Sequence, residues 1–139
     1  MFSLVVLAAG KGSRMKSPIP KVLHLLMGEP LLEYAIEKAD VLGPRCLSVV
    51  IGHGREQIRE EFSGRQFGEN GEICWAVQEE QLGTAHAAKV GIESLFPDGE
   101  DSVDVGDVLI INGDLPLLRA ETLQEMLDCH NQSKADITV

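Results

Sequence analysis

Apolar and polar positions along the chain keep to two rhythms, and the two take turns. Phe2 to Ala9 is a nearly continuous apolar run, β-branched in part and closed by Gly10, which predicts a buried strand. Gly10 to Pro20 reads as a loop, with two glycines, two prolines and a Ser-Pro step. From Leu31 to Leu42 the apolar residues Leu31, Leu32, Ala35, Ile36, Ala39 and Leu42 recur at helical spacing, and Gly43-Pro44 stops the helix. Cys46 to Ile51 predicts a second strand, Arg55 to Phe62 a short charged helix, and Ile73 to Val77 a third strand. Thr84 to Phe96 predicts a helix with Gly91 inside it and Pro97 as its stop. Val108 to Asn112 then predicts a fourth strand, Glu121 to His130 a helix, and Ile137 to Val139 the opening of a fifth strand.

Strands alternating with helices predict an α/β fold, a mostly parallel sheet with helices on both faces. Such sheets bind ligands beyond the carboxyl ends of their strands. Three unusual segments fall at such ends: Gly10 to Lys21, Gln78 to Thr84, and Asn112 to Leu115.

The 139 residues suit one domain, and 44% hydrophobic content with a mean hydropathy of +0.02 is enough for a real core. A formal net charge of −10 argues against a protein that coats nucleic acid or an anionic membrane. The charge is uneven: no acid precedes Glu29, whereas Lys11, Arg14, Lys16 and Lys21 crowd into the first loop. A local basic patch on an acidic protein points to one small anionic ligand. Cys46, Cys74 and Cys129 match no zinc spacing and read as reduced thiols. The run from Leu4 to Ala9 is too short for a signal core, and nothing approaches the roughly 18 apolar residues of a membrane span, so a cytoplasmic protein is expected. Asp98 to Asp107 is acidic but lacks the spacing of a calcium loop, and is expected to be a solvated connection.

The first loop carries the most chemistry. In Leu7-Ala8-Ala9-Gly10-Lys11-Gly12-Ser13-Arg14-Met15, small residues let the backbone approach a ligand and offer N–H donors to phosphate oxygens. It is not a Walker A loop, because no Gly-Lys-Ser/Thr follows at the required spacing, nor the Gly-x-Gly-x-x-Gly fingerprint, since position 15 is Met. Arg14 can grip phosphate through two nitrogens, and Lys21 can serve as a point charge.

That segment, followed six residues later by Lys21-Val22-Leu23-His24, resembles the signature of the sugar-nucleotide pyrophosphorylases. Its Pro20-Lys21-Val22-Leu23-His24 ending resembles the uridylyltransferase domain of bacterial bifunctional N-acetylglucosamine-1-phosphate uridylyltransferase/glucosamine-1-phosphate acetyltransferases. Gln78-Glu79-Glu80-Gln81-Leu82-Gly83-Thr84-Ala85-His86-Ala87 resembles the family's uracil-reading loop, and Asn112-Gly113-Asp114-Leu115-Pro116-Leu117 its metal-binding strand end.

The resemblance implies a Rossmann-like fold of the nucleotide-diphospho-sugar transferase type. The chain would be the nucleotide-binding N-terminal part of a uridylyltransferase domain, truncated before the rest. The implied reaction joins UTP to N-acetylglucosamine 1-phosphate, giving UDP-N-acetylglucosamine, a peptidoglycan precursor, and pyrophosphate, with Mg2+ as cofactor. Leu7, Ala8, Ala9 and Gly10 would meet the nucleotide through backbone, with Asn112 and Gly113 also at the nucleotide. Arg14 and Lys21 would be catalytic, Arg14 on the β- and γ-phosphates and Lys21 on the α-phosphate. Gln78 offers a donor and an acceptor to the uracil edge, Gly83 and Thr84 complete that pocket, and Asp114 would hold magnesium. An ionised sugar phosphate is already a nucleophile, so no general base is needed.

Simpler readings stand beside these. Asn-Gly-Asp alone is a turn former, and His24, His53 and His86 read as structural or surface residues rather than ligands. Asn112 departs from the aromatic or small residue of the family pattern. The resemblance also places the sugar-binding residues and the second metal ligand beyond Val139. The acetyltransferase β-helix that would build a homotrimer lies further still, so nucleotide binding is expected to survive better than turnover. The alternatives are a uridylyl- or thymidylyltransferase for another sugar 1-phosphate, and a non-catalytic nucleotide-binding module.

Overall fold

The computed structural model describes residues 1–96 and 106–139. In chain order its elements are β1 (Phe2–Leu7), β2 (Leu25–Leu26), β3 (Glu29–Pro30), α1 (Leu31–Leu42), β4 (Leu47–Ile51), α2 (Arg55–Glu61), β5 (Gln66–Phe67), β6 (Gly71–Val77), α3 (Thr84–Glu93), β7 (Asp107–Asn112) and α4 (Ala120–Ser133). Pro97 and all but the last two residues of the acidic stretch Asp98 to Asp107 lie outside the described residues.

Five strands form the main sheet in the order β5-β6-β4-β1-β7. β1 runs parallel to β4 and to β7, and β4 parallel to β6; short β5 is antiparallel to β6. All five residues of β4 are buried, because the strand is central and covered on both faces, and this is why Leu-Ser-Val-Val-Ile shows no alternation. Side chains still divide by parity. Leu4 and Val6 of β1 join Val49 and Ile51 of β4 against Leu32, Ile36 and Ala39 of α1, Ile58 of α2, and Leu123 and Leu127 of α4. Val5, Val50 and Ala76 face the other way, onto Ala87 of α3 and Leu95. Helices therefore cover both faces of a mostly parallel sheet, as the sequence pattern predicts.

Gly91 explains how α3 sits so close. A Cβ there would fall 2.8 Å from Val50 Cγ2 and nearer still to Val5 Cγ1, so only glycine lets the helix lie on β1 and β4. Glycine costs a helix about 1 kcal/mol relative to alanine. Here that loss is offset by burial of the α3 face.

Three expectations need correction, and one hairpin lies where no element is expected. Residues 137–139 form no strand; Ile137 and Val139 are exposed and pair with no described strand, and a strand exists only through a neighbour's hydrogen bonds. The helix starting at Thr84 ends at Glu93, where the Ser94 hydroxyl donates to the Gly91 carbonyl at 2.7 Å and turns the chain. β6 begins two residues before Ile73, because β5 gives Gly71 and Glu72 an antiparallel partner. The β2–β3 hairpin had no sequence signal. Met27 and Gly28 form its two-residue turn at φ 53° and 95°, and a methionine there lacks the Asn or Asp that marks such turns.

Candidate functional site

The strand register brings the three singled-out segments to one end of the sheet. Leu7 is level with Val50 on one side and Asn112 on the other, and Val77 is level with Ile51. Each chain is tied down as it leaves its strand. Ala8 N donates to Val50 O at 2.8 Å, Gln78 N to Ile51 O at 2.8 Å, and Gly113 N to Leu7 O at 2.9 Å. The loops after β1 and β6 then lead to helices on opposite faces, and the gap between them is the crevice expected of such a sheet. It is a cleft of about 470 Å³, lined by Leu7, Ala8, Ala9, Gly10, Arg14, Lys21, Gln78, Gly83, Thr84, Asn112 and Asp114. Gly12, Ser13, Met15, Val22, Gln81 and Ala87 line it too.

Of the sequence-predicted set, Gly113 alone is absent from the lining. It is buried, and a Cβ there would press on Leu32 Cδ1 and Val6 Cγ1 at 3.2 Å. Its amide is committed to Leu7 O. Gly113 seats the Asp114 turn on the sheet rather than presenting a donor to the cleft.

The basic wall comes from the first loop. Gly12 has φ 57°, a left-handed conformation natural to glycine, and a Cβ there would lie 2.7 Å from Lys21 Cβ. Glycine thus lets the loop fold back onto Lys21. Arg14 follows in a single 3-10 turn, Ser13–Met15, and is exposed at the cleft. Lys21 opens a second such turn whose next residue, Val22, is buried in the α1 core, so the lysine backbone is fixed while its side chain stays partly exposed. Lys21 Nζ and the Asp114 carboxylate form an ion pair across the cleft, 93 residues apart in sequence. An ammonium therefore rests on the oxygens that the resemblance gives to a metal.

Lys38 steadies the Asp114 turn from below. It is buried in α1, and its Nζ donates to Tyr34 O at 2.6 Å and reaches Pro116 O at 3.5 Å. Burial pushes its pKa below the usual lysine value, against the opposing pull of Glu37. Nothing in the sequence marks this lysine except its position on the apolar side of α1.

The third wall is the loop after β6. Gln78 is only 4% exposed. Its Nε2 lies 3.2 Å from Gly83 O and 3.0 Å from His86 Nδ1. Gln81 donates from Nε2 to Ala9 O at 2.6 Å, latching this loop to the first one. Gln81 and His86 lie inside a quoted motif, yet their contacts depend on a fold that brings residue 81 to residue 9. Gly83 and Thr84 border the cleft where α3 begins, so the open N–H groups of a helix start face that side. Among the described residues no group of three or more His, Cys, Asp or Glu could hold a metal, and no helix is long and apolar enough to cross a membrane.

Comparison with known proteins identifies the family and the fold. Residues 4–139 match the family model described as a MobA-like NTP transferase domain. The chain is 39% identical over 138 residues to the bifunctional protein GlmU of Bordetella petrii, covering 99% of this chain and 28% of that protein. It thus spans little more than a quarter of that relative's length. Among solved structures, UDP-glucose pyrophosphorylase complexed with UDP-glucose superposes with a TM-score of 0.73 at 20% identity, over 97% of this chain and 55% of the other. Rv0371C from Mycobacterium tuberculosis, in complex with manganese, gives 0.65 at 18% identity, over 94% of this chain and 60% of the other.

Proposed function

The chain belongs to the MobA-like NTP transferase family, and on that premise we propose that it is the nucleotide-binding half of a uridylyltransferase acting on UTP and N-acetylglucosamine 1-phosphate. One observation carries the reading: a cationic loop, a buried amide and a carboxylate, from three separate strand ends, meet in one cleft. A nucleoside triphosphate needs all three.

The base would enter the end holding Gln78, Gly83 and Thr84, where a side-chain amide and the first N–H groups of α3 meet a uracil edge. Leu7, Ala8, Ala9 and Gly10 would pack their backbone along the nucleotide, since Ala8 and Ala9 are buried and leave no bulk in the way. Lys21 would leave Asp114 for the α-phosphate. Arg14 would take the β- and γ-phosphates and gain strength as charge moves onto the departing pyrophosphate, which makes it selective for the transition state. The Asp114 carboxylate already holds a cation, and magnesium asks little more of a protein than one or two carboxylates beside substrate phosphates. A divalent cation bound there would supply neutralisation of phosphate charge. The sugar pocket, the second metal ligand and any trimer-forming acetyltransferase domain belong, on this reading, to sequence after Val139 of a cytoplasmic enzyme.

Calorimetric titration with UTP, dTTP and GTP in the presence of magnesium tests the assignment. UTP should bind most tightly. Equal affinity for all three would remove it.

A further inference from the structure

Resting on the uridylyl reading above, we infer that His86 is a positioning residue that fixes which way the Gln78 amide faces the base, and so decides which pyrimidine the cleft accepts. A glutamine amide has one face that donates and one that accepts, and a buried glutamine reads a base only if it cannot turn over. Gln78 is held from one side. The Gly83 carbonyl, 3.2 Å away, can only accept, so the atom facing it is the amide nitrogen. The second hydrogen of that nitrogen meets His86 Nδ1 at 3.0 Å. Nδ1 must then act as the acceptor, and neutral His86 carries its proton on Nε2.

Both amide hydrogens are thereby engaged, and Oε1 is left as the open atom of a side chain that lines the cleft. A carbonyl oxygen bonds only to a donor. Uracil and thymine present an N3–H at that edge, whereas cytosine presents a bare ring nitrogen there, which Oε1 repels. The backbone carbonyl of Gly83 alone is a single anchor, and the longer of the two. His86 is the second anchor, and it keeps the amide from swinging its nitrogen into the cleft to serve cytosine.

The experiment compares UTP and CTP affinities by calorimetry in the protein as its gene encodes it, for the wild type, His86→Leu and His86→Asn. The ratio of the two affinities is the readout, because a general loss of stability or of phosphate binding lowers both alike. Leucine removes the acceptor and should reduce the UTP preference by about fivefold, the equivalent of about 1 kcal/mol. Asparagine can place an oxygen near the Nδ1 position and should restore the ratio. A wild type with no preference for UTP would remove the uridylyl reading and this role with it. A wild type that prefers UTP, beside a His86→Leu ratio within a factor of about 1.5 of it, would overturn the His86 role alone. A ratio that asparagine does not restore would show that the bulk of the ring matters and would overturn the hydrogen-bond argument.

Discussion

Asp114→Asn should tighten metal-free UTP binding while removing the benefit of added magnesium. The sign follows from the ion pair that the carboxylate makes with Lys21. On the proposed reading UTP must take Lys21 away from Asp114 when no metal is present, so the pair is a cost charged to binding. Its size is set by solvent. The Lys21 and Asp114 side chains are 40% and 26% exposed, which puts the pair among partly solvated ones worth about 0.2–1 kcal/mol. Removing the carboxylate charge should then strengthen metal-free binding by about 1.4- to 5-fold. Calorimetry in EDTA at low and high salt measures this, and the gain should shrink as salt screens the pair. Lys21→Met should weaken binding, and adding Asp114→Asn to it should bring no further gain, because the two substitutions act through one contact. The fold should survive, with Tm within about 4 °C of wild type. Metal-free affinity that is unchanged or weaker in Asp114→Asn at low salt would refute the reasoning, since Lys21 would then not be the group that UTP recruits.

Two further outcomes follow from the same geometry. In an enzyme that carries the sugar pocket as well, Arg14→Ala should lower kcat by roughly a hundredfold with a smaller effect on UTP affinity, and Arg14→Lys should recover only part; a steady-state kcat within about threefold of wild type there would take Arg14 out of catalysis. Lys38 has a folded-state pKa below its unfolded value, so the folded chain sheds its proton first, and stability should rise with pH from that lowered pKa up to about 10.5. Chemical denaturation across alkaline pH should show this rise in the wild type and lose it in Lys38→Met, whereas an identical pH profile in both would mean the amine is not desolvated.

The sequence by itself determined the architecture and the neighbourhood of the cleft. The apolar runs from Phe2 to Ala9 and from Cys46 to Ile51 point to buried strands, of which β1 closes at Leu7 and β4 opens at Leu47, and the spacing in Leu31–Leu42 points to a helix with one buried side. Alternation of the two types then places the segments after Leu7, Val77 and Asn112 at the same sheet end. These are short-range rules that act between residues close in sequence. What the tertiary structure decided concerns pairs far apart in sequence. The pairing of Leu7 with Asn112 sets Lys21 against Asp114. It also turns Gly113 into a support, because its amide is spent on Leu7. The Gln78 amide could face the cleft in either orientation until Gly83 and His86 folded onto its nitrogen. Gln81 found Ala9 across the cleft only because the loops after β1 and β6 leave strands that flank β4 and reach toward each other over its end. Residues 137–139 remained outside any strand despite an apolar pattern, since pattern makes a segment capable of pairing and only a neighbour makes it a strand. Local preference is a property of a few adjacent residues, whereas hydrogen-bond partners and ion pairs are set by where the whole chain packs.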